Sequence, residues 1–187
     1  SQETNQADMT VVCHNEEIVN SNNYTTIKSD ESGRVTDIKI NEKVRGSNKF
    51  YSNIMIIGRQ FLLTLIEDAI VHNYKSFRED IIMRRMKTLK IFSYDFTGYH
   101  ATIDSLSSYF VHNMELLQKP VRDELFGARD IYTKVRDSAP SKYGDDSSVK
   151  NSLISDGCIV EGTVENSILF RGVKVGKGTV VRNSILM

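Results

Sequence analysis

The groups whose types could do chemistry are few, and their spacing says little for catalysis. His14, His72, His100 and His112 stand far apart, and no two of them have metal-ligand spacing. Cys13 and Cys158 fit neither a metal-binding nor a redox pattern and read as buried thiols. His14 reads as a residue of a polar loop. His72 and His112 fall on predicted helices, where a histidine is usually solvated or hydrogen-bonded. The basic cluster Arg84, Arg85, Lys87 and Lys90 offers charge for an anion, and also reads as a solvated helix end. Residues 1–147 contain no Gly-x-Gly loop of the kind that holds nucleotide phosphates on backbone N–H groups.

The elements that must position these groups fall into two textures. The first hundred residues alternate strand and helix signals. Met9 to Cys13, Tyr24 to Lys28 and Val35 to Ile40 read as strands, with a turn at 30–33. Asn53 to Ile57 is a continuous apolar run, which suits a buried central strand. Leu62, Leu65, Ile66, Ala69 and Ile70 share one face of a predicted helix. Ser76 is placed to cap a short helix, with Glu79 at the capping-box position. Thr88 to Tyr94 reads as a strand. Asp104 or Ser105 caps a further helix whose stripe holds Leu106, Phe110, Asn113 or Met114, and Leu117, Asp104 being the simpler reading as a cap than as a ligand. Pro120 and Pro140 bracket a polar linker.

From Ser148 onward a small residue precedes a β-branched residue or leucine about every five or six positions. Asn-Ser-Leu/Ile recurs at 151, 166 and 183, and glycines punctuate the turns. That is the pattern of a parallel β-helix, whose coils bury their apolar row only against neighbours. The expected organisation is an α/β domain over 1–118, a linker over 119–147 and β-helix coils over 148–187.

The chain has 187 residues, with 24 basic against 24 acidic side chains. This neutrality gives no support to nucleic-acid or membrane-surface binding. No apolar run reaches the length of about 18 residues that a bilayer requires. Neither a basic nor an apolar leader is visible, and a cytoplasmic protein is the expectation.

Taken in order, several stretches resemble the glucose-1-phosphate adenylyltransferase (ADP-glucose pyrophosphorylase) family. They are Gly33-Arg34-Val35-Thr36-Asp37, Tyr51-Ser52-Asn53-Ile54-Met55, Phe77 to Ile82, Gly98-Tyr99 leading into Ser108 to Met114, and Ile131-Tyr132-Thr133. The resemblance implies the second half of a Rossmann-like nucleotidyltransferase domain followed by the first coils of a left-handed parallel β-helix. It implies ADP-glucose chemistry from ATP and glucose 1-phosphate, with Mg²⁺ in the intact family enzyme and no cofactor in this chain.

Three positions depart from the family pattern. Thr102 stands where the family's second metal carboxylate is expected, and a neutral hydroxyl is a poor Mg²⁺ ligand. Asn41 stands where a sugar-phosphate lysine is expected, and Lys43 comes there only with a two-residue shift. Tyr51 stands at a serine position, with Ser52 one step off and Asn53 beside it. Asn41, Lys43, Tyr51, Ser52 and Asn53 thus form a degenerate sugar-phosphate region, with no catalytic or metal-ligating residue assigned. His100 stands where the family has a tryptophan.

That combination resembles the family's non-catalytic GlgD-type sister subunit, a regulatory glycogen-biosynthesis partner of a homologous catalytic subunit. The β-helix would also allow self-association. Two other readings stay open: an active sugar-phosphate nucleotidyltransferase, and a β-helix acyltransferase, which ranks low because residues 148–187 contain no histidine.

Overall fold

The computed structural model describes residues 6–21, 24–40, 44–127, 131–134 and 136–187, with no side-chain description at 17–21 and 44–45. The chain divides into two compact units between Thr97 and Gly98. Residues 98–118 therefore share a unit with the repeats.

In the first unit, β1 (Met9–Ser21), β2 (Thr25–Ser29), β3 (Val35–Ile40), β4 (Val44–Ile57) and β5 (Ile91–Asp95) form one sheet in the order β3-β2-β4-β1-β5. β1 pairs antiparallel with β4 and parallel with β5. Alternate side chains take opposite faces. Met9, Val11 and Cys13 of β1 are fully buried and join Ile91, Ile27, Ile38 and Leu65 in one core. Full burial of a side chain such as Leu65 contributes about 2 kcal/mol.

Asn53 to Ile57 lies inside β4 and pairs with β1 along Met55 to Ile57, but it is not buried on both faces. Ile54 and Ile56 are each more than half exposed, while Met55 and Ile57 pack on the core. Helix α1 (Arg59–Val71) also turns differently from the predicted face. Leu65 is buried and Phe61 and Ala69 pack beside it, but Ile66 and Ile70 face solvent. A helix with apolar residues around much of its girth leaves the face to be set by packing rather than by pattern.

A π-helical turn over Phe77–Met83 buries Ile81 and Ile82. Ser76 caps it, its Oγ accepting from the Glu79 N–H at 3.2 Å. The reciprocal contact comes from Asp80 and not Glu79. The Asp80 carboxylate accepts from the N–H groups of Lys75 (3.1 Å) and Ser76 (3.0 Å), and these bonds hold its pKa below the usual carboxylate value.

In the second unit, α2 (Leu106–Glu115) and a single turn, α3 (Lys119–Arg122), precede nine short strands among the described residues. Ser105 is the N-cap of α2. It forms a capping box with Ser108, each side chain accepting from the other residue's backbone N–H. Much of the predicted α2 stripe is solvent-facing: Leu106 is 84 % exposed, whereas Leu117, beyond the helix end, is buried.

The nine strands are β6 (Lys142–Tyr143), β7 (Ser148–Lys150), β8 (Leu153–Ile154), β9 (Ile159–Val160), β10 (Thr163–Glu165), β11 (Ile168–Leu169), β12 (Lys174–Val175), β13 (Val180–Arg182) and β14 (Ile185–Leu186). They stack in three parallel three-stranded sheets, β12-β9-β6, β13-β10-β7 and β14-β11-β8. The coils therefore begin at β6, within the segment read as a linker. Cys158, Val160, Val164, Leu169 and Val175 fill the interior.

Two ladders of side chains mark one corner of these coils. Asn151, Asn166 and Asn183 all have left-handed backbones, at φ 44, 47 and 46°. Asparagine tolerates this conformation better than most residues do. Asn151 Nδ2 donates to Asn166 Oδ1 at 2.9 Å, and Asn166 Nδ2 donates to Asn183 Oδ1 at 2.6 Å. Beside them the Ser167 N–H donates to Ser152 Oγ and the Ser184 N–H to Ser167 Oγ. The two asparagine steps span 15 and 17 residues, so the later coil carries two more residues. They widen the turn at 176–179, whose carbonyls close over Gly162. A Cβ there would lie 2.3 Å from the Thr179 oxygen and 2.6 Å from that of Gly176.

Candidate functional site

The sugar-phosphate region expected at 51–53 is a bulge in β4. Val11 pairs with Met55 and Cys13 with Tyr51, so one residue of β1 faces three of β4. Asn53, at φ 56°, supplies the left-handed turn. Beside the bulge, Ser52 Oγ lies 2.9 Å from His14 Nδ1, and His14 Nε2 lies 3.3 Å from Glu16 Oε2.

His14 corrects an expectation. It sits within β1, opposite Phe50, and is 5 % exposed rather than in a polar loop. Its ring lies 5.8 Å from that of Phe50, which in turn contacts Tyr24 at 4.9 Å. A tautomer with Nε2–H donating to the Glu16 carboxylate leaves Nδ1 to accept from the Ser52 hydroxyl. This orients a hydroxyl and an imidazole against one aromatic wall.

The other face of the same strands is closed. Tyr51 is 8 % exposed and packs in the core, and its hydroxyl has no hydrogen-bond partner among the described residues. Burial pushes its pKa up to about 12. Cys13, its partner across the ladder, is likewise pushed by burial to about 12, with Lys49 opposing that shift.

Lys49, two residues before Tyr51 on β4, is the cation that sequence reading missed. Its Nζ lies 2.6 Å from Asp95 Oδ1, 2.9 Å from Ser29 Oγ and 3.1 Å from Ser93 Oγ. Its only advance signal is a lysine at a core-facing position two before a buried tyrosine. A carboxylate already compensates this ammonium, which weakens its claim on a phosphate.

Asn41 and Lys43 lie outside the described residues. Tyr51, Ser52 and Asn53 come together at the bulge but serve separate surroundings: the core, His14 and solvent. Thr102 is half-buried in the segment ahead of α2. Asp104 does not cap the helix as expected. It is exposed, and its N–H donates to Ser108 Oγ at 3.0 Å.

His72 Nδ1 contacts the Asp68 carbonyl at 2.9 Å, and His112 Nδ1 contacts Glu115 Oε2 at 2.9 Å. The basic cluster is partly compensated: Arg84 pairs with Asp80 at 3.2 Å, and Arg85 pairs with Asp68.

The coils and the α/β unit each have counterparts among known proteins. The family described as GlmU-like, C-terminal hexapeptide matches residues 138–187. The glycogen biosynthesis protein GlgD of Bacillus subtilis (strain 168) is 45 % identical over 123 residues, 64 % of this chain and 36 % of that protein. GlgD of Geobacillus stearothermophilus is 50 % identical over 127 residues, 67 % of this chain and 37 % of that protein. The chain is related to the GlgD proteins. It is also similar to the glucose-1-phosphate adenylyltransferase of Thermosipho africanus (strain TCF52B), at 33 % identity over 181 residues, 92 % of this chain and 43 % of that protein. The chain thus spans less than half the length of each of these relatives. The family match also accounts for the coils, which form the start of a hexapeptide-repeat β-helix.

Proposed function

We propose that this chain is a segment of a GlgD-type glycogen-biosynthesis subunit, regulatory and impaired in nucleotidyl transfer. In this reading, the α/β unit is part of the second half of a Rossmann-like nucleotidyltransferase domain, and the coils from β6 onward are the start of a left-handed β-helix. The subunit is cytoplasmic and pairs with a homologous catalytic subunit. The β-helix also allows self-association.

The observation that carries the reading is the difference in identity: 45 and 50 % to the two GlgD proteins against 33 % to the adenylyltransferase. The site residues support it. Mg²⁺ held by carboxylates is what nucleotidyl transfer needs. Thr102 supplies no carboxylate at the position aligned with the family's second metal ligand, so the residues here do not fit the metal. Tyr51 fills core space where the resemblance expects a serine. A second reading, an active enzyme making ADP-glucose from ATP and glucose 1-phosphate, is favoured by the broader span of the adenylyltransferase match, 92 % of the chain.

The test is restoration. Thr102→Asp with Asn41→Lys in the full-length protein is expected to raise ADP-glucose synthesis from background. Synthesis at ordinary rates before any substitution would overturn the impaired reading.

A further inference from the structure

Within the second unit, α2 and the loop after it face the asparagine ladder across an open groove of about 460 Å³. One wall is mostly apolar, with Phe110, Val111, Met114 and Leu117 joined by the amide of Gln118. Phe110 and Val111 are 39 and 48 % exposed, so the wall is wetted. The other wall is made of amides, Asn151 and Asn166. Each link of the ladder uses one Nδ2 proton and one Oδ1 lone pair. An asparagine has two amide protons and two lone pairs, so both residues keep hydrogen-bonding capacity for a further partner.

The groove has one ionisable group, Glu115. Its carboxylate already accepts from Tyr99 Oη at 2.6 Å and contacts His112 Nδ1 at 2.9 Å. Burial opposes its ionisation, and those hydrogen bonds outweigh it, so the group stays charged at neutral pH. A phosphate or carboxylate ligand would meet that negative charge with no cation lining the groove. An all-apolar ligand would leave the amide donors and acceptors not used in the ladder without partners. The chemistry that suits both walls is a neutral ring with C–H faces and hydroxyl edges. A sugar ring stacks on an aromatic face and exchanges hydrogen bonds with amides. The volume is within the range of small-ligand sites, roughly 300–1,000 Å³, and suits about one or two hexose units.

We propose that the groove between Phe110 and the Asn151–Asn166 ladder binds neutral hexose units of a glucan. The groove's chemistry selects a neutral hexose, and the choice of a glucan rests on the reading of the chain as part of a glycogen-biosynthesis subunit. That reading is judged by ADP-glucose synthesis, and this one by glucan binding.

The full-length protein is titrated calorimetrically with maltoheptaose and run on native gels with and without glycogen. Wild type is expected to bind maltoheptaose, and Phe110→Ala to weaken binding by about tenfold or more. Phe110→Trp, which keeps an aromatic face, is expected to retain it. Phe110 is already partly solvent-exposed, and thermal melting of each variant separates lost binding from lost fold. Retardation in glycogen gels together with maltoheptaose binding assigns the site to the polymer. Maltoheptaose binding without retardation assigns it to free oligosaccharide. No heat up to about 10 mM maltoheptaose, equal binding by folded Phe110→Ala, or preferential capture of an apolar peptide would overturn the proposal.

Discussion

Asn151 donates its side-chain amide to the Asn166 carbonyl oxygen 2.9 Å away, one coil along. Both residues hold left-handed backbones, so each serves as turn residue and ladder rung together. Replacing Asn166 by alanine removes two side-chain hydrogen bonds and places a less tolerant residue at φ 47°. The expected loss is about 1–3 kcal/mol. Asn166→Gly should lose less, because glycine keeps the turn. Equal melting temperatures for Asn166→Ala and wild type would remove the ladder from the account.

Gly162 is buried beneath the widened turn of the next coil. A methyl group there meets two backbone oxygens, which cannot move aside as a side-chain end could. Gly162→Ala should cost about 2–4 kcal/mol. Gly172→Ala tests a different mechanism: nothing lies within 4 Å, and only the φ of 74° opposes it. It should cost about 1 kcal/mol. Urea melts of the two variants check the order.

Ser105 caps α2 and holds the wall of the proposed groove. Ser105→Ala should cost about 1 kcal/mol, Ser105→Asp little or nothing. Native-state hydrogen exchange in residues 106–110 reads the loosening directly. Unchanged exchange in Ser105→Ala would contradict the capping role.

Cys13 and Tyr51 titrate near 12 in the folded chain, above their ordinary values of 9.0 and 10.0. Above pH 9 the unfolded chain therefore loses these protons first and binds fewer than the folded one. Stability should be fully present below about pH 9 and fall as pH rises toward 12. Cys13→Ala with Tyr51→Phe should flatten that decline. An alkaline stability curve unaltered by the pair would contradict the assigned burial. In the folded protein Cys13 should also resist thiol reagents at pH 8, since thiolate is the reactive form.

The repeats were legible because each signal repeats. Asn-Ser-Leu/Ile at 151, 166 and 183 marks the same turn three times, and the structure stacks all three. Val35 to Ile40 was legible in its bounds, which match β3, but its burial does not alternate. Val35 and Ile38 are the buried residues, and a register shift opposite Lys28 and Ser29 separates them. The helix face was not legible. Ile66 and Ile70 look like core residues by spacing, but packing around Leu65 decides which side turns inward.

The bulge was only half visible. Asparagine tolerates a positive φ better than most residues, so Asn53 hints at the turn. Nothing in the local sequence says that it brings Ser52 to His14, 38 residues away. Lys49 was missed for the same reason. Its partners Ser29, Ser93 and Asp95 come from β2 and β5, and only sheet order brings them together.

The most direct measurement of the central claim is ADP-glucose synthesis by the full-length protein, alone and mixed with the proposed homologous catalytic subunit. The account predicts background synthesis alone, and a stable complex in which the catalytic subunit's rate or effector response changes. Ordinary rates from the protein alone, with no change on mixing, would contradict it.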